Sequence, residues 1–237
     1  MRLVTWNCNM AFRKKAVHIL KFGPDILVVP ECEHPDKLKF ASGLPVPTDV
    51  FWHGINPHKG LGVFSYSTYR FKVLDLHDPS FRMIVPIAVT GGSIDFTLFA
   101  IWANNADDPL HQYVGQIWKA ANAYSKHFNT GTHVLMGDFN SNTIWDKRRR
   151  IGNHSALVAF LKERHIHSVY HSHFGEIQGQ EKRNTLYLHR HQHRPYHIDY
   201  CFASEELIQK ARSVEVGSYQ DWRMHSDHAP LVVDFDL

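Results

Sequence analysis

HVLMGDFNSN, residues 133–142, begins as an apolar run and ends in a carboxylate, two amides and a hydroxyl. A strand that has crossed a core commonly stops in turn residues, and Gly, Asp and Asn are good ones. An ordinary loop is therefore the plain reading of Asp138, Asn140, Ser141 and Asn142. Whether other strands end in matching groups decides between a loop and a site.

Regular elements flank this stretch on both sides. RLVTWN (2–7) reads as a first strand. FRKKAVHILKFGPD (12–25) then places Phe12, Ala16, Ile19 and Leu20 on one helical face, with Gly23 and Pro24 as the stop. DILVVPE (25–31) is a near-continuous apolar strand, as expected where both faces are covered. The opening is β-α-β. The middle is strand-rich: GLGVFSY (60–66), FKVLDL (71–76), MIVPIAV (83–89) and DFTLFAIWAN (95–104). Asp108 and Pro109 look like an N-cap and first-turn proline, opening a helix striped by Val114, Ile117, Trp118, Ala121 and Phe128. Beyond the central strand come a helix, HSALVAFLKERHI (154–166), and a strand, HIDYCFAS (197–204). Ser204, Glu205 and Glu206 open a short helix, and SDHAPLVVDFDL (226–237) closes as a strand. Helices separated by groups of strands predict two packed sheets with helices outside.

The bulk numbers agree with an ordinary folded chain. Its 237 residues are 43% hydrophobic and 13% aromatic, ample for a sizeable core, and no linker, repeat or low-complexity segment divides them. One domain over residues 1–237 and a monomer are expected. The charge of +3 permits an anionic partner without demanding one, and 19 histidines would add positive charge in mild acid. Three cysteines, Cys8, Cys32 and Cys201, lack CxxC spacing, which argues against a disulfide framework and suits buried thiols in a reducing compartment. No long apolar segment suggests a leader or a membrane span, so a cytoplasmic location is expected.

Polar groups recur where the strands stop. The first strand ends in Asn7 and Asn9, the second in Glu31, the central one in Asp138 and Asn140; Asp199 and the trio Ser226, Asp227 and His228 follow. Each alone has a duller explanation, a cap or a surface loop. Together, carboxylates and amides at adjoining strand ends are what an oxygen-liganded Mg²⁺ or Mn²⁺ needs.

The ordered set TWNCN, PDILVVPE, GDFNSN, HIDYCFAS and SDHAPL, spread from residue 5 onward, resembles the endonuclease/exonuclease/phosphatase superfamily. That superfamily includes exonuclease III-like apurinic endonucleases, DNase I-like nucleases, inositol polyphosphate 5-phosphatases and neutral sphingomyelinases. The resemblance implies an α/β fold, a four-layer sandwich of two packed mixed β-sheets flanked by helices, and Mg²⁺- or Mn²⁺-dependent cleavage of phosphate esters. It implies Glu31 as the principal metal ligand, with Asn9 and Asp227 near the ion. Asn7 and Asn140 would orient the phosphate, and Asp138 would hold or deprotonate the attacking water. Asp199 would orient His228 against the scissile phosphate. These roles agree with the charge that builds on the phosphate during hydrolysis.

The chain departs from the pattern after the central strand pair. Where exonuclease III-like members carry a tyrosine and DNase I-like members a histidine, this chain reads FAIWANN (99–105), with Trp102 near that position and Asn104 as the polar substitute. There is no WCDR-like motif of the inositol phosphatases. On substrate, Lys147, Arg148, Arg149 and Arg150 follow the GDFN loop, and such a cluster suits a nucleic-acid backbone as well as a solvated loop. HRHQHRPYH (189–197) puts His189, His191 and His193 on one face if it is a strand, a polar rim more readily than a zinc site with His197. The leading expectation is a nuclease acting on DNA, with RNA second. The alternatives are a phosphatase or phosphodiesterase of a small molecule or lipid headgroup, and a catalytically silent nucleic-acid-binding module.

Overall fold

The computed structural model describes residues 1–39, 43–81, 83–104, 111–147 and 150–237. The expected β-α-β opening is present: β1 (Arg2–Thr5) and β2 (Ile26–Cys32) pair in parallel. Its crossover is broken rather than one helix. Phe12–Lys14 and Leu20–Phe22 are tight turns on either side of the single turn α1 (Ala16–Ile19). Ala11 is left-handed at φ 51 and Lys15 sits at φ −121, so the helix cannot run through them. The apolar set still does its work, because Phe12, Ala16, Ile19 and Leu20 are all buried.

The chain continues through β3 (Asp49–Asn56), β4 (Lys59–Ser65), β5 (Arg70–Val73), β6 (Ile84–Thr90) and β7 (Phe96–Trp102). Then come α2 (Val114–Ala123), β8 (His133–Asp138), α3 (His154–Lys162), β9 (Ile166–Ser168) and α4 (Val169–Phe174). A small hairpin, β10 (Leu186–Tyr187) with β11 (Pro195–Tyr196), precedes β12 (Asp199–Ser204). The end is α5 (Glu205–Ile208), β13 (Ala211–Val216), α6 (Tyr219–Trp222) and β14 (Leu231–Phe235). β5 stops short of the expected 71–76, and Asp108 and Pro109 lie outside the described residues. Ser204 does precede α5, but its hydroxyl accepts from His133 N at 2.8 Å instead of capping the helix.

Two mixed six-stranded sheets result, ordered β13-β14-β1-β2-β4-β3 and β5-β6-β7-β8-β12-β9. Alternation along the strands explains the layers. Ile26 and Val28 face a core shared with Leu98, Ala100, Val134 and Met136 of the second sheet. Leu27 and Val29 face outward and pack with Phe12, Ile19 and Trp222. On the far side Leu135, Tyr200 and Phe202 pack with Ile117, Leu157 and Phe160 of α2 and α3. The order helix, sheet, sheet, helix is the predicted four-layer sandwich. No helix among the described residues is long and apolar enough to cross a membrane.

Candidate active site

The polar strand ends gather along one edge where the two sheets meet. β7, β8 and β12 run side by side there, with Trp102 and Asp199 both in register with Asp138. Gly137, at φ 141, permits this approach: a Cβ on it would land on the carbonyl oxygen of Ile101. Asp138 is fully buried at the end of β8. Asn7 Nδ2 reaches it from the first sheet at 2.9 Å, and Asn140 donates to it through both Nδ2 (3.0 Å) and its backbone N (2.9 Å). Asn140 Nδ2 also bonds the Ala103 carbonyl at 2.8 Å. The Asn7–Asp138 bond joins the two sheets at the site.

Glu31 owes its direction to a bulge. The register of β2 against β4 shifts between Pro30 and Cys32, and Glu31 stands at φ 63. Its carboxylate then meets Asn7 Nδ2 at 3.4 Å and Lys59 Nζ at 3.1 Å. Asn9 and Asn140 are also left-handed, at φ 49 and φ 47. Asn tolerates that conformation and Glu does so at a cost of order 1 kcal/mol, a kind of strain that concentrates at functional positions. Asn9 Nδ2 donates to Asp227 Oδ1 at 2.9 Å. Ser226 Oγ donates to the Asn7 carbonyl at 2.8 Å and accepts from His228 N at 3.0 Å, which fixes the last loop against the first.

His228 Nδ1 lies 2.8 Å from Asp199 Oδ2, with both side chains buried. Thr185 Oγ1 holds Asp199 in place by accepting from its backbone N at 2.9 Å. Burial works against the imidazolium, but the Asp199 charge and hydrogen bond, with Asp138 behind, hold His228 up at about 10. Burial pushes the Asp138 carboxyl up to about 7, and the Asp199 carboxylate adds to the shift. The site therefore pairs a cationic imidazole with a carboxyl poised to exchange a proton near neutrality.

Among the described residues, Asp138, Asp199 and His228 bring ligating atoms within 4.8 Å of one another. Sequence reasoning instead assigned the metal to Glu31, Asn9 and Asp227. Both groups are rich in hard oxygen donors. The Asp199 Oδ1 is buried without a hydrogen-bond partner, an acceptor in want of a cation or donor. The donor chemistry fits a hard divalent cation, and no cysteine is among these donors.

Of the remaining expected residues, Trp102 is buried in the core between the sheets and turns a ring face to Lys59. Asn104 keeps a buried, unpartnered Oδ1. Lys147 and Arg150 line a cleft of about 550 Å³ together with Asn140, Trp145, Leu188 and Tyr196. Arg148 and Arg149 lie outside the described residues. The histidine run does not share one strand face: His189 is left-handed at φ 56 in a tight turn, and His197 is buried on the Arg183 carbonyl. Only His191 and His193 of that run stack. Sequence reasoning missed Lys59, Thr185 and a partly buried hydrogen-bonded ring beneath the loop. That ring runs from Ser141 through His154, Gln178, His171 and Glu181 back to Asn142, each link between 2.8 and 3.2 Å. Isolated polar residues in apolar-patterned segments, such as His154 opening α3, are the one signal that could have found it.

A family model described as "Endonuclease/Exonuclease/phosphatase family" matches residues 4–228. The chain is similar in structure to a 3'-5' exonuclease (NExo) from Neisseria meningitidis, with a TM-score of 0.68, 21% identity and 100% of both chains covered. A second structure of a 3' phosphatase NExo from Neisseria, bound to product DNA hairpin, gives the same TM-score of 0.68 at 21% identity, again over 100% of both chains. An AP endonuclease from Archaeoglobus fulgidus gives 0.66 at 18% identity over 100% of both chains. At these identities the likeness establishes the fold. No curated protein sequence matches significantly.

Proposed function

Because the chain belongs to the endonuclease/exonuclease/phosphatase family, we propose that it is a divalent-metal-dependent phosphodiesterase whose substrate is a nucleic acid, DNA before RNA. The observation that carries this reading is the convergence of Asn7, Asp138, Asn140, Asp199 and His228 from both sheets into one hydrogen-bonded edge. Asp138, near neutrality in its proton affinity, holds the attacking water and takes its proton. Asn7 and Asn140 orient the phosphate through their amides, and the His228 imidazolium, steered by Asp199, offsets charge on its oxygens. Glu31, with Asn9 and Asp227, would hold a Mg²⁺ or Mn²⁺ ion, and when bound that ion would supply Lewis-acid polarisation of the phosphate.

The surroundings favour a polynucleotide. The cleft beside Asn140 has aromatic walls, Trp145 and Tyr196 at 4.9 Å between centroids, and a cationic rim, Lys147 and Arg150. The β10–β11 hairpin, which supplies Tyr196, also carries exposed Arg190, His191, His193 and Arg194 and is tied to the site by Tyr187 N bonding the Asp227 carbonyl at 2.7 Å. Aromatic faces take bases and cations take backbone phosphates. Residues 1–237 act in this reading as one catalytic domain, monomeric and cytoplasmic, where three buried free thiols are at home.

The test is incubation with plasmid DNA, oligonucleotides, RNA, inositol phosphates and a chromogenic phosphodiester, each with Mg²⁺, Mn²⁺ or EDTA. Cleavage of DNA or RNA that EDTA stops is the expected result. Turnover confined to inositol phosphates would replace the substrate class, and inertness toward every ester with either metal would leave a silent binding module. Glu31→Gln keeps the volume and removes the charge, so Mn²⁺ titration calorimetry should show a large loss of affinity with the fold intact. Serine replacements at Lys147, Arg150, Arg190 and Arg194 should flatten the salt dependence of DNA binding, by roughly 0.9 in the log–log slope per lost phosphate contact.

A further inference from the structure

Lys59 opens β4 at the tip of the β3–β4 hairpin, and its ammonium faces the Glu31 carboxylate. Its Nζ lies 3.1 Å from Glu31 Oε2 and 5.2 Å from the centroid of the Trp102 ring. Glu31 belongs to the first sheet and Trp102 ends β7 of the second, so one side chain spans the gap between sheets on that flank of the site. Trp102 is in register with Asp138. The ammonium is therefore held on the strand next to the carboxyl assigned to the attacking water.

The pair is open to a ligand, with 38% of the Lys59 side chain and 18% of that of Glu31 exposed. Trp102 itself cannot neutralise a phosphate oxygen: it has one N–H donor and no charge. It can hold an ammonium over its face while leaving the remaining N–H donors free.

We propose that Lys59 contacts the scissile phosphate: its ammonium leaves Glu31 for a non-bridging phosphate oxygen when that carboxylate is engaged by a divalent cation. This rests on the reading of Glu31 as a metal ligand. Two consequences have opposite sign. Without phosphate, ammonium and dication compete for one carboxylate, so Lys59 weakens metal binding. With phosphate present, both cations lean on one anion, so Lys59 strengthens the ternary complex. Such a sign reversal is a coupling free energy between two ligands and does not arise from general damage.

Mn²⁺ calorimetry on wild type, Lys59→Met and Lys59→Arg, with and without inorganic phosphate, reads both signs. Lys59→Met should bind Mn²⁺ alone about two- to fivefold tighter, the size of a partly exposed ion pair. In the presence of Mn²⁺ it should bind phosphate roughly tenfold more weakly, the size of a charge-assisted hydrogen bond. Lys59→Arg should recover most of the phosphate affinity. Melting in EDTA checks that each variant folds, and Lys59→Gln repeats the comparison should Lys59→Met fold poorly. Weaker Mn²⁺ binding by Lys59→Met without phosphate would make the lysine a prop for Glu31 and overturn the proposal. Unchanged phosphate affinity in Lys59→Met would overturn it too. Loss of the metal reading looks different: Glu31→Gln would then keep its Mn²⁺ affinity.

Discussion

His228 and Asp199 form an ion pair almost out of water, and this makes both unusually sensitive to each other. Removing the Asp199 charge takes away the largest influence opposing burial and leaves only Asp138 and Asp227 against it, which drives the imidazole's proton affinity down from about 10. In Asp199→Asn the basic limb of the pH–activity profile should therefore move toward neutrality, and kcat should fall strongly at pH 8. Adding His228→Ala should cost much less than the product of the two single losses, because the pair acts as a unit. Fully multiplicative losses would separate them. Linkage gives a second reading. A histidine raised in the folded state contributes stability that is complete below its ordinary 6.5 and lost as pH rises toward 10. Urea unfolding should lose a few kcal/mol less over that window in Asp199→Asn than in wild type. Asp199 and His228 could be found from sequence because each sits beside a strand whose apolar pattern is plain. Lys59 could not, since its meaning comes from a carboxylate on another strand and a ring in the other sheet.

At the level of strands, the site depends on how closely β8 approaches β7. Gly137 combines φ 141 with a missing Cβ that would otherwise strike the Ile101 carbonyl. Gly137→Ala should therefore destabilise by several kcal/mol, from steric overlap and backbone strain together, and shift Asp138 away from Asn7. Denaturant midpoints and turnover should fall together; a variant with wild-type stability would show that the strands can part without harm. β2, β7 and β8 were legible because strands covered on both faces read as apolar runs. β3 was not: it lies at a sheet edge, its residues are half-buried or exposed, and Gly54 and Asn56 interrupt its pattern. The broken crossover through α1 hid for a different reason. Its apolar spacing is helical, but Ala11 and Lys15 take backbone angles that spacing does not encode. The turn at His189 defeated the strand reading of the histidine run in the same way.

Taken whole, the molecule carries three histidines, His133, His154 and His197, buried and each lowered by desolvation to about 4. A histidine kept neutral in the fold contributes stability that is present above 6.5 and lost as pH falls toward 4, because the unfolded chain takes up the proton first. Unfolding free energy measured by circular dichroism should drop by several kcal/mol between about pH 6.5 and pH 4. A flat profile over that range would mean these imidazoles charge in place without penalty. The path of the chain through the sandwich has its own consequence. The first sheet takes β1 to β4 and then, after the whole second sheet, β13 and β14. β14 is the neighbour of β1, and the amino terminus bonds the Phe235 carbonyl at 2.6 Å. Asp227 and His228 stand just ahead of this late strand. During translation Asn7, Glu31 and Asp138 leave the ribosome early, yet they wait beside an unfinished sheet until the closing strand emerges. The site is thus completed just ahead of the last strand of the sandwich, and a chain stopped after β13 would hold Asn7, Glu31 and Asp138 without Asp227 and His228.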